Sequence, residues 1–296
     1  MIYLIDASVY VFRAYHSMLP DMTDRDGNAS HAVFGFAKFL SDLVEYQRPE
    51  YIAVAFDQSL TSCFRSKIYP AYKKNREPPP VDLALQFERC VEFCKHLGVP
   101  SFGSHDYEAD DIIGSLVHRA RRVGLKATVV SRDKDLAQLI REGDIYWDYT
   151  SRERFGYLDI EKRFGVAPER FADYLALMGD AVDNIPGVPG IGAKTAAVLM
   201  REFASLDELY EGLSRVALLK CRGASSLAAK LIAHREAAYL ARQLTVIACD
   251  VPLEIESEHL RRRLPDVHAL TAFYDHHRFG PMLRNQTARI TQLPLD

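Results

Sequence analysis

The chain has 296 residues, 48% of them hydrophobic and 26% charged, which is ample for one large globular domain or two ordinary ones and excludes a disordered or fibrous protein. Its 37 lysines and arginines against 40 aspartates and glutamates leave a net charge of −3, which taken alone argues against a nucleic-acid partner. That argument weakens once acids are seen to cluster, because carboxylates gathered around cations leave the rest of the surface positive. In chain order, residues 2–5 read as a buried strand ending at Asp6, and residues 31–46 as a helix with Val33, Phe36, Leu40, Leu43 and Val44 on one face. A second buried strand, 51–56, ends at Asp57. A basic stretch follows at 64–76, then three prolines at 78–80, then a helix marked by Leu83, Phe87, Val91, Cys94 and Leu97. Residues 112–123 form a helix opened by Glu108, Asp110 and Asp111, residues 127–130 a strand just before Asp133 and Asp135, and residues 144–147 a further strand.

Alternating strands and helices predict a mostly parallel sheet with helices on its faces. After a polar boundary near 150–165 the pattern turns helical, with helices expected at 168–178, 193–203, 205–213 and 225–244 and a looser C-terminal segment whose tail, 290–296, frays. No internal repeat or low-complexity tract is evident. Cys63, Cys90, Cys94, Cys221 and Cys249 form no CxxC pair and read as reduced cytosolic thiols, Cys90 and Cys94 as core. Asp6 interrupts what could have been a signal sequence, and no apolar run approaches the ~20 residues that span a bilayer, so an intracellular chain without a membrane partner is expected.

Nine acids stand where strands end or helices begin: Asp6, Asp57, Glu108, Asp110, Asp111, Asp133, Asp135, Asp180 and Asp183. In an open α/β sheet the carboxyl ends of the strands line the ligand crevice. So many carboxylates converging there need positive charge among them, and a hard divalent cation with oxygen ligands is the simplest source. Single-purpose explanations cover only parts: helix capping accounts for one or two of Glu108, Asp110 and Asp111, and a solvated turn could hold Asp133 and Asp135. An extended backbone would turn those two to one side, and Asp180 and Asp183, three apart, can share a cation in a helix or turn.

Directly after that last pair, Gly187, Gly190 and Gly192 let backbone approach a phosphate, a helix starting near Ala193 would point free N–H groups at it, and Lys194 adds charge. The stretch Phe64, Arg65, Ser66, Lys67, Ile68, Tyr69, Pro70, Ala71, Tyr72, Lys73, Lys74, Asn75, Arg76 interleaves aromatics with basic residues, the combination that stacks single-stranded bases while neutralising phosphates. A plain solvated charge run remains the alternative.

Together the segments LIDAS, GNASHAVFGF, FRSKIYPAYKKNR, EADDIIG, SRDKDLAQL and LMGDAVDNIPGVPGIGAKTA, spread over roughly residues 1–255, resemble the bacterial and phage 5′ nucleases, or flap endonucleases, in particular the N-terminal nuclease domain of bacterial DNA polymerase I and its stand-alone relatives. The resemblance implies a PIN-like or Rossmann-like α/β nuclease core over 1–163 with a helical arch at about 60–85, an all-α helix-three-turn-helix domain over 164–260, and a C-terminal extension over 261–296. It implies a first metal site from Asp6, Asp57, Glu108 and Asp110 and a second from Asp111, Asp133, Asp135, Asp180 and Asp183, with the sharing of bridging acids left open. Two Mg²⁺ or Mn²⁺ ions are implied.

By the same resemblance Tyr72, Lys73 and Arg76 are arch residues beside the scissile phosphate. Arg65 and Lys67 lie on the same basic stretch, while residues 187–195, with Gly187, Gly190, Gly192, Lys194 and Thr195, grip duplex backbone. A potassium ion on main-chain carbonyls of Asp183, Val188 and Ile191 is implied there. The implied activity is metal-dependent hydrolysis at 5′ ends and 5′ flaps, on flapped, overhanging, nicked or gapped DNA and RNA–DNA hybrid, by a monomer of the bacterial cytoplasm engaged in primer removal, replication and repair. Two departures matter. All of Asp135, Asp180 and Asp183 are present, unlike in some stand-alone relatives, and Leu175 stands where the phage enzymes carry a lysine. Two other readings of the residues stay open: a ribonuclease with the same acid-lined core, and a structure-specific DNA-binding module without catalysis.

Overall fold

The computed structural model describes residues 1–58, 63–219, 223–253 and 257–294. In chain order it contains β1 (Ile2–Asp6), α1 (Ala7–Ser17), α2 (His31–Gln47), β2 (Tyr51–Asp57), α3 (Phe64–Ile68), α4 (Val81–Leu97), β3 (Ser101–Ser104), α5 (Ala109–Arg122), β4 (Ala127–Val130), β5 (Ile145–Asp148), β6 (Glu153–Phe155), α6 (Tyr157–Phe164), α7 (Phe171–Met178), α8 (Ala193–Glu202), α9 (Leu206–Glu211), α10 (Leu213–Val216), α11 (Ala224–Ala233), α12 (Arg235–Thr245), α13 (Val267–His276) and α14 (Pro281–Thr291). These fall into two compact units. The first comprises Met1–Leu60, Pro78–Arg132 and Cys249–Asp296, the second Thr61–Glu77 and Asp133–Ala248.

In the first unit four parallel strands run in the order β3-β2-β1-β4. Ile2, Leu4 and Ile5 of β1 are fully buried, as are Ile52 and Val54 of β2 and Val129 and Val130 of β4, the continuous apolar run expected of strands covered on both faces. Register brings Ile5 level with both Val54 and Val130, so Asp6, Asp57 and Ser131 all emerge at the carboxyl end. The strand order reverses between β1 and β4, where this architecture opens its ligand crevice.

The segment 249–294 belongs to this same unit. Gln286 of α14 donates to Asp42 at 2.8 Å and to Glu45 at 2.9 Å on α2, Arg289 pairs with Glu45, and the buried Arg262 donates to the carbonyl of Pro49 at 3.1 Å. The C-terminal residues are therefore firmly helical as far as Thr291, rather than loose.

The second unit combines the antiparallel hairpin β5–β6 with a helical body. Arg154 of β6 lies over the Trp147 ring of β5 at 4.0 Å. Phe171, Leu175, Leu199, Met200, Phe203, Leu206 and Leu231 form its buried interior. Leu175, at the position of the phage lysine, is therefore a core residue. The single helix expected over 225–244 is two, α11 and α12, with His234 between them at φ −118° and ψ 25°. No proline or glycine marks that break, so the apolar periodicity reads straight through it. Cys63, Cys90, Cys94 and Cys249 are in no disulfide, and burial raises the Cys90 and Cys94 thiols far above the ordinary range; Cys221 lies outside the described residues.

Candidate metal centre

The acids divide between the units. In the first, Asp6 ends β1 and caps α1, its side chain facing the Val9 amide at 3.5 Å, and the Ser131 hydroxyl donates to its other oxygen at 2.8 Å. Asp57 ends β2 and accepts from the Ala109 amide, the first residue of α5, at 2.8 Å. Glu108 precedes α5, and its amide donates to the fully buried Asp111 at 3.1 Å. Asp110 and Asp111 fill the first turn of α5, where the helix dipole favours negative charge. Strand ends and a helix start thus hold five of the nine acids in one unit.

In the second unit, Asp133 and Asp135 do not lie on an extended backbone as expected. Asp133 caps a 3₁₀ turn, Lys134–Leu139, by accepting from the Asp135 amide at 2.9 Å. The reason is local: an Asp side chain readily bonds the amide two residues on. Asp180 and Asp183 occupy a turn closed by two backbone bonds between Asp180 and Ile185, at 3.0 and 2.7 Å, with Asp180 also accepting from the Val182 amide at 2.8 Å. Gly179 and Gly187 make that turn possible. Gly179 has φ +72°, and a Cβ on Gly187 would lie 2.5 Å from the Met178 carbonyl. The glycine expected to admit a phosphate is thus first required by its own chain, whereas Gly192, the N-cap of α8, faces open space.

Basic residues crowd these acids. Lys134 Nζ lies 3.1 Å from Asp180 Oδ2 and 3.9 Å from Asp135 Oδ1. Arg76 pairs with Asp183, Lys73 Nζ is 3.8 Å from the same carboxylate, and the Lys73 amide donates to the Asp183 carbonyl at 2.9 Å. Lys73 holds φ +53°, a left-handed conformation unusual for a side-chain-bearing residue and a form of local strain. Asn75 and Asn184 tie the two loops further, donating to the carbonyls of Ala181 at 2.9 Å and Ala71 at 2.7 Å.

Charge and burial compete here. Burial, reinforced by Asp133 and only partly offset by Lys134, pushes the Asp135 carboxyl up to about 7. Asp180 is also penalised by burial, yet the Lys134 ammonium and two backbone amides bring it below the usual carboxylate range. Asp135 Oδ1 is buried with no hydrogen-bond partner, an orphan oxygen of the kind a hard cation satisfies. The all-oxygen donor set fits such an ion. In neither unit do three of these acids bring their ligand atoms within 4.8 Å of one another; among the described residues Asp24, Asp26 and His276 do.

Two of the residues expected on DNA are placed differently. Tyr72 is 7% exposed, in a cluster with Cys63, Ala176, Ile185, Ala241 and Leu244, so its ring is core and not a stacking platform. Arg65 is 3% exposed, and its guanidinium donates to the carbonyls of Leu244 at 2.8 Å and Val246 at 2.9 Å. The reason is common to both: α3 and the turn after it turn one face onto α12. Lys67, Lys74, Lys194 and Gly190 are exposed, Thr195 half-buried, and Val188 and Ile191 buried. Sequence reasoning assigned no role to Ser131 or Lys134, although both stand inside a segment it singled out.

Comparison with known proteins shows the family and the fold. The family profile "5′-3′ exonuclease, N-terminal resolvase-like domain" matches residues 1–165, and "5′-3′ exonuclease, C-terminal SAM fold" matches 166–268. A 5′-3′ exonuclease of Buchnera aphidicola is 33% identical over 86% of this chain and 88% of its own length, and one of Aquifex aeolicus is 33% identical over 91% and 89%. The DNA polymerase I of Rhizobium leguminosarum is 36% identical, the match covering 88% of this chain but 26% of the polymerase, so the chain spans about a quarter of that protein. Among solved structures, the bacteriophage T5 D15 protein crystallised with metal ions has a TM-score of 0.66 at 21% identity, covering 99% of this chain and 98% of its own. The catalytic core of Rad2 with a DNA substrate has a TM-score of 0.64 at 14% identity, covering 99% and 92%. The chain belongs to the 5′-3′ exonuclease family.

Proposed function

We propose that this protein is a structure-specific 5′ nuclease that hydrolyses phosphodiester bonds at 5′ ends and 5′ flaps of DNA, as a monomer, in primer removal and repair. The observation that carries the reading is the gathering of Asp6, Asp57, Glu108, Asp110 and Asp111 at strand ends and a helix start within one unit. Asp6, Asp57, Glu108 and Asp110 would hold one Mg²⁺ or Mn²⁺, and Asp133, Asp135, Asp180 and Asp183, with Asp111 as a bridging candidate, a second. Bound there, divalent ions supply positive charge to the scissile phosphate and make water more acidic.

The chain's own residues do the rest. Ser131 and the Ala109 amide orient Asp6 and Asp57. Lys73 and Arg76, on a turn anchored by Asn75 and Asn184, present fixed cations to the charge that builds on the phosphate. Lys67 neutralises single-strand phosphates. The free N–H groups at the start of α8, with Gly190, Gly192, Lys194 and Thr195, hold duplex backbone. A potassium ion would sit on the main-chain carbonyls of Asp183, Val188 and Ile191.

The test is cleavage of a labelled 5′-flap DNA and a matched single-stranded RNA with Mg²⁺ or Mn²⁺, alongside Asp110→Asn. Divalent-dependent cleavage of the flap, lost in the variant, supports the reading. A chain that binds the junction without cutting it, or cuts only the RNA, overturns it.

A further inference from the structure

Lys134 stands between two acids in sequence, and in the fold its ammonium is 3.1 Å from Asp180 Oδ2 and 3.9 Å from Asp135 Oδ1. The side chains of Asp135 and Asp180 are mostly buried, 20% and 18% exposed, while that of Lys134 is 42% exposed. The lysine therefore reaches in from solvent on a flexible stem, and its compact charge sits at the one place where a cation bridging those two carboxylates would sit. A divalent ion takes carboxylate oxygens at ~2.0–2.6 Å, so ion and ammonium cannot both be nearest neighbours of the same oxygens, and like charges so close repel strongly. The stem offers a way out: an exposed lysine head can move to water while its methylenes stay on the protein.

We propose that Lys134 is the internal counter-ion of the second acid set, filling the cation's place in the metal-free protein and leaving it when metal binds. It thereby sets how much metal that site requires. The inference rests on the reading that Asp135 and Asp180 ligate a divalent ion. Lys134 is a positioning residue in this scheme: it keeps the two carboxylates together and ready without touching substrate. A rigid, permanently paired lysine would instead make the segment a structural salt bridge.

The experiment is Mn²⁺ binding to the whole chain without DNA, followed by electron paramagnetic resonance, for the parent, Lys134→Met, Lys134→Arg and Asp180→Asn. Removing the competing charge should tighten the weaker class of Mn²⁺ by roughly tenfold or more after solvent screening, while Lys134→Arg stays near the parent and Asp180→Asn loses that ion. Amine-reactive labelling of the parent, read by mass spectrometry at Lys134, gives an arm that needs no variant to fold: reactivity should rise as Mn²⁺ is added. If the parent loses an ion in Asp180→Asn but Lys134→Met binds no more tightly, or labelling does not rise, the counter-ion role falls and the metal reading stands. If Asp180→Asn leaves Mn²⁺ binding untouched, both fall.

Discussion

The two acid sets are held by different means. In the first unit Asp6, Asp57 and Asp111 take hydrogen bonds from a hydroxyl and backbone amides. In the second Asp180 and Asp183 are paired with Lys134, Arg76 and Lys73. Neutral donors fix a carboxylate's direction and leave its charge available to an incoming cation. A cationic partner also offsets its charge beforehand, and Lys134, in the counter-ion scheme, has to leave Asp180 before an ion can take its place. The hydroxyl and amide bonds thus orient Asp6, Asp57 and Asp111, while Lys134, Arg76 and Lys73 place positive charge beside Asp180 and Asp183.

The largest test of that contrast is Asp57→Asn. The amide oxygen still accepts from Ala109, so the fold should survive in thermal melts while flap cleavage drops below detection; retained cleavage would remove Asp57 from the metal centre. Next is Asp183→Asn, which releases Arg76 and Lys73. Cleavage should slow and second-ion affinity weaken, with DNA binding largely intact in gel-shift titrations. If binding vanished while cleavage per bound substrate stayed the same, Asp183 would be structural. Lys73→Ala should cost on the order of 10²-fold in the single-turnover cleavage step, the usual scale for one charge-stabilising donor; a pure affinity loss would demote it to a steering charge.

Smaller effects sharpen the first half. Ser131→Ala removes the donor that orients Asp6 and should weaken the first ion by roughly tenfold, the low end for an outer partner of a ligand; calorimetry would show it. His277 is buried against Phe273 and Phe279, with ring centroids at 4.3 and 5.2 Å. Burial first, then His276, lowers its pKa to about 4. An unfolded histidine titrates near ~6.5, so as pH falls the unfolded chain takes up the proton first. The stability it contributes is whole above pH ~6.5 and is lost toward about 4. Denaturant melts across that window should show the loss, and His277→Phe should flatten it.

Much of this was legible in the sequence, for identifiable reasons. Parallel strands buried on both faces are unbroken apolar runs, so β1, β2 and β4 and the acids that end them stand out. The strand β3, Ser101–Ser104, is half-buried and lacks branched residues, and α1 carries Val9, Tyr10, Val11 and Phe12 in a run with no clear helical stripe; neither announces itself. The burial of Tyr72 and Arg65 is not legible, because a short basic, aromatic segment does not reveal which of its faces is turned inward. Lys134 was overlooked for a related reason: a lysine between two aspartates looks the same in a solvated turn and in an acid pocket, and only the distance to Asp180, contributed by a residue 46 positions away, separates the two.

Arg65 bears on the upkeep of the basic turn. Its guanidinium, spent on the carbonyls of Leu244 and Val246 at the end of α12, rivets one flank of the segment to a helix, while Lys74 and Arg76 lie exposed a few residues on. Trypsin should therefore spare the bond after Arg65 and nick the chain after Lys74 or Arg76. Amide exchange should be slow around the rivet and at Lys73, whose amide is bonded to the Asp183 carbonyl. The exposed Lys74 can thus be replaced without loosening the segment, whereas Arg65 at its root, the buried Tyr72 and the residues braced on the 181–183 turn, Lys73, Asn75 and Arg76, have to stay.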